Sequence, residues 1–219
     1  MGDAGRKAEL FDQLARVGKA LASGKRLELL DLLAQAERPV DALAAAAGLN
    51  LTTVSAHLQV LKQAGLVAIR RKGTRVYYRL AGDDVIDLLV RTRDVAAAHL
   101  PDVAAARGAY LHGDSEVESI GRDELRRRLA AGQVTVLDVR PTEEYTAGHV
   151  PGAVNIPVDE LADRLDELPG DVEVVAYCRG PYCVFAHEAV RLLRARGRRA
   201  ARLADGVVEW RLAGLPVAA

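Results

Sequence analysis

The stretch that most constrains this chain runs from Asn50 to Gly82, which holds six basic residues (Lys62, Arg70, Arg71, Lys72, Arg75 and Arg79) and no Asp or Glu. Over the whole chain the charges balance, 30 Lys and Arg against 30 Asp and Glu. So one-sided a segment must face water or an anion, because unpaired like charges are not buried together. Its apolar residues set its shape. Val54, Leu58 and Leu61 recur at helical spacing and Gly65 stops the helix. Asn50 or Thr52 is placed to cap the helix at its start. Two strand-like runs, Leu66 to Arg71 and Arg75 to Leu80, then flank the turn Lys72-Gly73-Thr74.

Upstream, Leu10, Leu14, Val17 and Leu21 form one helical stripe and Leu27, Leu30 and Leu33 a second, separated by Ser23-Gly24. Pro39 suits the first turn of a third helix that ends at Gly48. After the hairpin, Val85, Leu88, Leu89, Thr92 and Val95 mark a helix from about Asp83 to His99, where Pro101 limits it or starts a new turn. A third helix, a turn, a fourth helix and a β-hairpin in this order predict a winged helix-turn-helix, an α+β unit that is mainly helical. Removing the inward stripe of the recognition helix leaves Thr52, Thr53, Ser55, Ala56 and Gln59 outward. Their short donors and acceptors suit base edges and phosphates, while Lys62, Arg70, Arg71, Lys72 and Arg75 suit the backbone. His57 lies nearer the apolar stripe and reads as structural.

The stretch TTVSAHLQVLKQAGLVAIRRKGTRVYYRL, residues 52–80, resembles the ArsR/SmtB family of repressors. The resemblance covers about residues 5–100. It implies a homodimer built from the first helix and the Asp83–His99 helix, a palindromic operator on double-stranded DNA, and repression relieved by an inducer. The chain departs from the metal-sensing members. The helix before the recognition helix, Val40 to Gly48, carries no ligand residue. On the last helix Asp84, Asp87, Asp94 and His99 do not reproduce the paired-ligand order. No metal site is expected, and the sensor is expected elsewhere in the chain.

The second half changes rhythm. A chain of 219 residues accommodates two domains of about 100 residues each. The small, polar and acidic run at 112–117 suggests a linker, giving domains at 1–110 and 118–219 around a linker at 111–117. Val134 to Val139 and Val172 to Tyr177 are short apolar runs of the kind buried in a parallel sheet. Helices at Arg122–Ala131 and from about Cys183 to Arg196 alternate with them, which predicts an α/β domain.

The second strand run stops at Cys178, followed by Arg179, Gly180, Pro181, Tyr182, Cys183 and Val184 before the helix. A turn between strand and helix directs successive N–H groups inward. That nest, the helix N-terminus and Arg179 would lower the pKa of Cys178 and make it nucleophilic. This loop, with LDVRPTEEYTAGHVPGAVNIP at 137–157 and DGVVEWRLAGLPV at 205–217, resembles the rhodanese (sulfurtransferase) family over roughly 116–219. The resemblance implies that Cys178 forms a transient persulfide, that Arg179 to Val184 cradle the outer sulfur, and that Asp138 and Arg140 flank the site. Gly148 to Ala153 reads as a fold signature and Trp210 as core. Phosphatases and arsenate reductases on this fold place Arg six positions after the cysteine, where this chain has Val184. Cys183 stays open between a thiol that resolves a Cys178 persulfide and a buried residue at a helix start.

With two cysteines the chain is no disulfide scaffold, and no signal peptide or membrane-length apolar run is visible. A cytoplasmic protein without a resident cofactor is expected. Three functions remain in play: a repressor that senses sulfane sulfur at Cys178 through a small sulfur donor or thiol-reactive inducer, a sulfurtransferase tethered to DNA, and a metalloid sensor using Cys178 and Cys183.

Overall fold

The computed structural model describes residues 4–111 and 117–219, so most of the expected linker lies outside the described residues. The chain divides into two compact units, Met1–Arg93 and Asp94–Ala219.

In the first unit α1 (Ala4–Leu21) and α2 (Gly24–Gln35) are separated at Ser23. They precede β1 (Arg38–Pro39), α3 (Val40–Ala47), α4 (Leu51–Gln63), β2 (Val67–Lys72) and β3 (Arg75–Leu80). Pro39 stands just before α3 rather than within its first turn; it has no N–H to give and pairs in register with Tyr77 on the edge of the sheet. The strand order is β1-β3-β2, all antiparallel. Asn50 is the cap of α4: its side chain accepts the Thr53 N–H at 2.8 Å. Gly73 has φ +60°, the left-handed conformation that a two-residue hairpin between Lys72 and Arg75 requires. Leu29, Leu30, Leu43, Val54, Leu58 and Leu61 are fully buried together with Tyr78 and Ile86, each Leu contributing roughly 1.5–3 kcal/mol of transfer free energy.

α5 (Asp83–His99) runs through the division between the units. Val85 and Leu89 face inward as the spacing predicts, with Ile86, whereas Leu88 and Val95 are exposed. On α1 Leu10, Phe11 and Leu14 are likewise more than half exposed, so the predicted stripe is a surface and not core.

The second unit continues with α6 (Pro101–Tyr110), β4 (Ser119–Ile120), α7 (Arg122–Ala130), β5 (Val134–Asp138), α8 (Thr142–Ala147) and β6 (Val154–Asn155). It closes with β7 (Glu173–Tyr177), α9 (Phe185–Ala195), β8 (Ala200–Leu203) and α10 (Val207–Leu212). The ends of the expected linker are packed: Leu111 and Val117 are both buried, and the Leu111 carbonyl accepts an Arg191 N–H at 3.1 Å. The five strands are parallel in the order β4-β8-β7-β5-β6. From Val174 to Tyr177 every residue of β7 is buried, because helices cover both faces of such a sheet. Among the described residues no helix is long and apolar enough to cross a membrane.

Candidate functional site

Loops at the carboxyl ends of parallel strands are where an α/β sheet presents chemistry. Here β7 ends at Tyr177 and Cys178 comes next, with only 2% of its surface exposed. The loop folds back on itself: the Cys183 N–H donates to the Gly180 carbonyl at 3.1 Å. The Cys178 sulfur lies 3.5 Å from the Cys183 carbonyl oxygen and 4.0 Å from that of Gly180. The backbone N–H groups of Gly180 and Ala186 point at the Cys178 sulfur, and those of Arg179 and Phe185 at the Cys183 sulfur. The predicted nest of amides is therefore divided between two thiols. The two thiols act on each other's acidity, and neither is in a disulfide.

This changes the acid–base order expected from the sequence. Burial pushes the Cys178 thiol well above its ordinary value, and the neighbouring Cys183 sulfur adds to the rise. Cys183 is pulled down, chiefly because the Cys178 S–H donates to it, with further help from the Arg179 and Phe185 amides and the Arg179 charge. The pair releases its first proton from the partly exposed sulfur, whose charge is the better solvated. The expectation of a lowered pKa at Cys178 is thus corrected: desolvation outweighs two amides there.

Arg179 is also placed differently from expectation. Its guanidinium grips the fully buried Glu144 of α8 through contacts of 2.7 and 3.0 Å and lies 5.1 Å over the Phe185 ring. It pins the loop to α8 rather than capping Cys178. Two glycines allow close approach at this loop. Gly180 has φ +156° and faces the Glu209 carboxylate, and a Cβ on Gly206 would fall 2.4 Å from the Arg179 carbonyl. Pro181 and Val184 occupy the rest of the turn, Val184 just before α9. The Arg107 guanidinium of α6 lies 5.9 Å over the Tyr182 ring.

Asp138 and Arg140 are wholly buried and bonded to each other, with contacts of 2.6 and 3.0 Å. Arg140 also donates to the Gly148 carbonyl at 2.7 Å. Tyr177 joins them: its hydroxyl donates to Asp138 at 2.5 Å and accepts the Val150 N–H at 3.0 Å. Burial and the Asp138 charge push the Tyr177 phenol far up, so it stays a donor. Burial works against the Arg140 charge, but Asp138 outweighs it. This network meets the thiol loop at Tyr177, the residue before Cys178, and through the charge of Glu144, which acts on Arg140 and holds Arg179; it braces the strand end from which the loop springs.

In the first unit the predicted DNA-reading residues lie on α4 and the β2–β3 hairpin. Thr52, Gln59 and Lys62 on α4 are exposed, as are Arg70, Arg71, Lys72 and Arg75 on the hairpin, while Thr53, Ser55 and His57 are half-buried. Thr53 spends its backbone N–H on Asn50, and Arg70 is paired with Glu37 at 2.8 Å and packs over Tyr77.

Comparison with known proteins gives both halves a lineage. Residues 23–68 match the bacterial regulatory protein, arsR family, and residues 121–213 match the rhodanese-like domain. The HTH-type transcriptional regulator Rv0324 of Mycobacterium tuberculosis is 61% identical over 99% of this chain and 95% of its own length. The chain belongs to the ArsR family of transcriptional regulators, in a form that carries a C-terminal rhodanese domain. A sulfurtransferase of Allochromatium vinosum is 32% identical over 47% of this chain and 96% of its own. The homodimeric winged helix-turn-helix DNA-binding domain of Mb0332 from Mycobacterium bovis, solved by NMR, is 60% identical over 47% of this chain and 94% of its own, with a TM-score of 0.43.

Reading the sequence missed three residues that shape the regulator's thiol loop. In the sequence Tyr177 reads only as the end of an apolar strand run, and Glu144 and Glu209 receive no role. Glu144 and Glu209 do carry a signal, since they lie within the 137–157 and 205–217 stretches; their partners could not be named without the fold.

Proposed function

We propose that this DNA-binding regulator is a homodimeric cytoplasmic repressor whose rhodanese domain accepts sulfane sulfur at Cys178, and that loading alters its grip on a palindromic operator. The observation that carries the reading is a thiol at the end of β7 with the Gly180 and Ala186 amides aimed at it. Such amides favour the anionic sulfur of a persulfide over a neutral thiol. With thiosulfate as donor the step balances: the Cys178 thiolate attacks the outer sulfur, an S–S bond forms to Cys178, and sulfite leaves with the electron pair of the broken bond. The raised pKa of Cys178 limits this step to the fraction deprotonated. The exposed apolar residues of α1 and α5 supply the dimer surface, and the basic hairpin supplies phosphate contacts.

Fluorescence anisotropy on the protein's own upstream DNA, with and without a low-molecular-weight persulfide, tests the reading. Operator affinity of wild type is expected to change on loading, and the change to vanish in Cys178→Ser. Identical responses of the two forms overturn it. The likeness to a sulfurtransferase favours one further reading, an enzyme tethered to DNA. That reading requires steady turnover of thiosulfate with cyanide and a DNA affinity indifferent to sulfur loading. Release of DNA by stoichiometric arsenite would instead support metalloid sensing by Cys178 and Cys183.

A further inference from the structure

We propose that Cys183 is the resolving thiol of this site: it attacks the inner sulfur of a Cys178 persulfide and expels hydrosulfide, leaving a Cys178–Cys183 disulfide. The proposal rests on the reading that Cys178 accepts sulfane sulfur, and it assigns a role to a second residue which that reading does not need.

Four features of the loop point this way. The turn closed by the Cys183 N–H on the Gly180 carbonyl, 3.1 Å, brings residue 183 back over residue 178. The Cys178 sulfur sits 3.5 Å from the Cys183 carbonyl oxygen. The fold therefore holds residue 183 beside the atom that becomes the inner sulfur. Secondly, the Arg179 and Phe185 amides aim at the Cys183 sulfur, which stabilises the thiolate that attack requires. Thirdly, the loop is held at both ends. The Arg179–Glu144 ion pair anchors its start and α9 its finish, so closing the ring costs little further chain entropy. Fourthly, Cys178 is buried, which keeps water and bulky thiols from competing for the persulfide.

The step needs no outside oxidant. The Cys183 thiolate forms a bond to the Cys178 sulfur, and the bond from that sulfur to the outer sulfur breaks. The outer sulfur leaves as HS⁻ with the bonding pair. It is reduced by two electrons, and the two cysteine sulfurs are together oxidised by the same two. A dithiol reductant restores the resting pair. One sulfur atom delivered is thus converted into a covalent change in the loop that outlasts the sulfur itself.

Intact-mass spectrometry of the full-length protein after one equivalent of a low-molecular-weight persulfide, with parallel sulfide assay, tests this. Wild type is expected to lose two hydrogens, gain no sulfur and release one sulfide per chain. Cys183→Ser and Cys183→Ala are expected to hold one extra sulfur on Cys178 and release none. Wild type that retains the extra sulfur, as a persulfide or as a trisulfide between the two cysteines, overturns the proposal while leaving sulfur acceptance at Cys178 intact. No sulfur chemistry in wild type or variants overturns both. The wild-type measurement decides by itself, whatever the variants do to folding.

Discussion

The two units of this regulator place function in opposite surroundings. In the winged unit the residues proposed to meet DNA are mostly exposed, on one helix and one hairpin between positions 52 and 75. In the rhodanese unit the candidate thiol, Cys178, is buried, and the groups that define it come from four stretches of chain: 138–150, 177–186, 206–209 and α6. Exposed charge acts through its count and spacing, with the solvent as a uniform background. A buried thiol takes its properties from each neighbour within a few ångströms. The first kind of site tolerates change residue by residue; the second does not.

The largest effect expected from that contrast is at Asp138. Replacing it with Ala removes the carboxylate that compensates the buried Arg140 charge, at a cost of about 3–5 kcal/mol. Urea unfolding monitored in each unit should show the loss in the rhodanese unit alone. An equal loss in both units would break the comparison, because the units would then fold as one.

Single substitutions on the winged surface should be milder and interchangeable. Lys72→Ala and Arg75→Ala should each weaken binding across all DNA sequences and reduce the slope of log affinity against log salt by about 1. Binding measured over a salt series checks this; a variant that relaxes preference at a single base pair would instead mark that side chain as a base reader. Asn50→Ala removes the cap of the recognition helix and should cost about 1 kcal/mol of stability in thermal or urea unfolding.

The finest distinction lies in how the two thiols titrate. An unperturbed thiol ionises near about 8.5. Cys183 is held below the ordinary value and Cys178 above it, so rising pH charges Cys183 first. Iodoacetamide labelling and peptide mapping should find Cys183 modified at pH values where Cys178 is still inert. In Cys178→Ala the donor to Cys183 is gone, so its labelling profile should move to higher pH. Preferential labelling of Cys178 near neutrality would reverse the order argued from burial.

Much of this was open to view in the chain itself. The spacing of Val54, Leu58 and Leu61, the stop at Gly65 and the glycine turn at Gly73 were enough for the helix and hairpin, because period and turn chemistry are local properties. The buried strands at 134 and 173 were legible for the same reason. The helix at Pro101–Tyr110 was only half foreseen, since a proline shortly after His99 marks a break but does not specify the next element.

What the amino-acid order determined by itself is a basic reading head and, after it, an α/β domain with Cys178 at a strand end: both arise from residues that are neighbours along the chain. Which of the two sulfurs ionises first, where Arg179 spends its charge, and that Tyr177 braces the strand end were decided only by the folded molecule. Desolvation and hydrogen bonding depend on the atoms that surround a group in space: Arg179 meets Glu144 and Tyr177 meets Asp138 across tens of positions, and the two sulfurs take their order from how the loop folds around them.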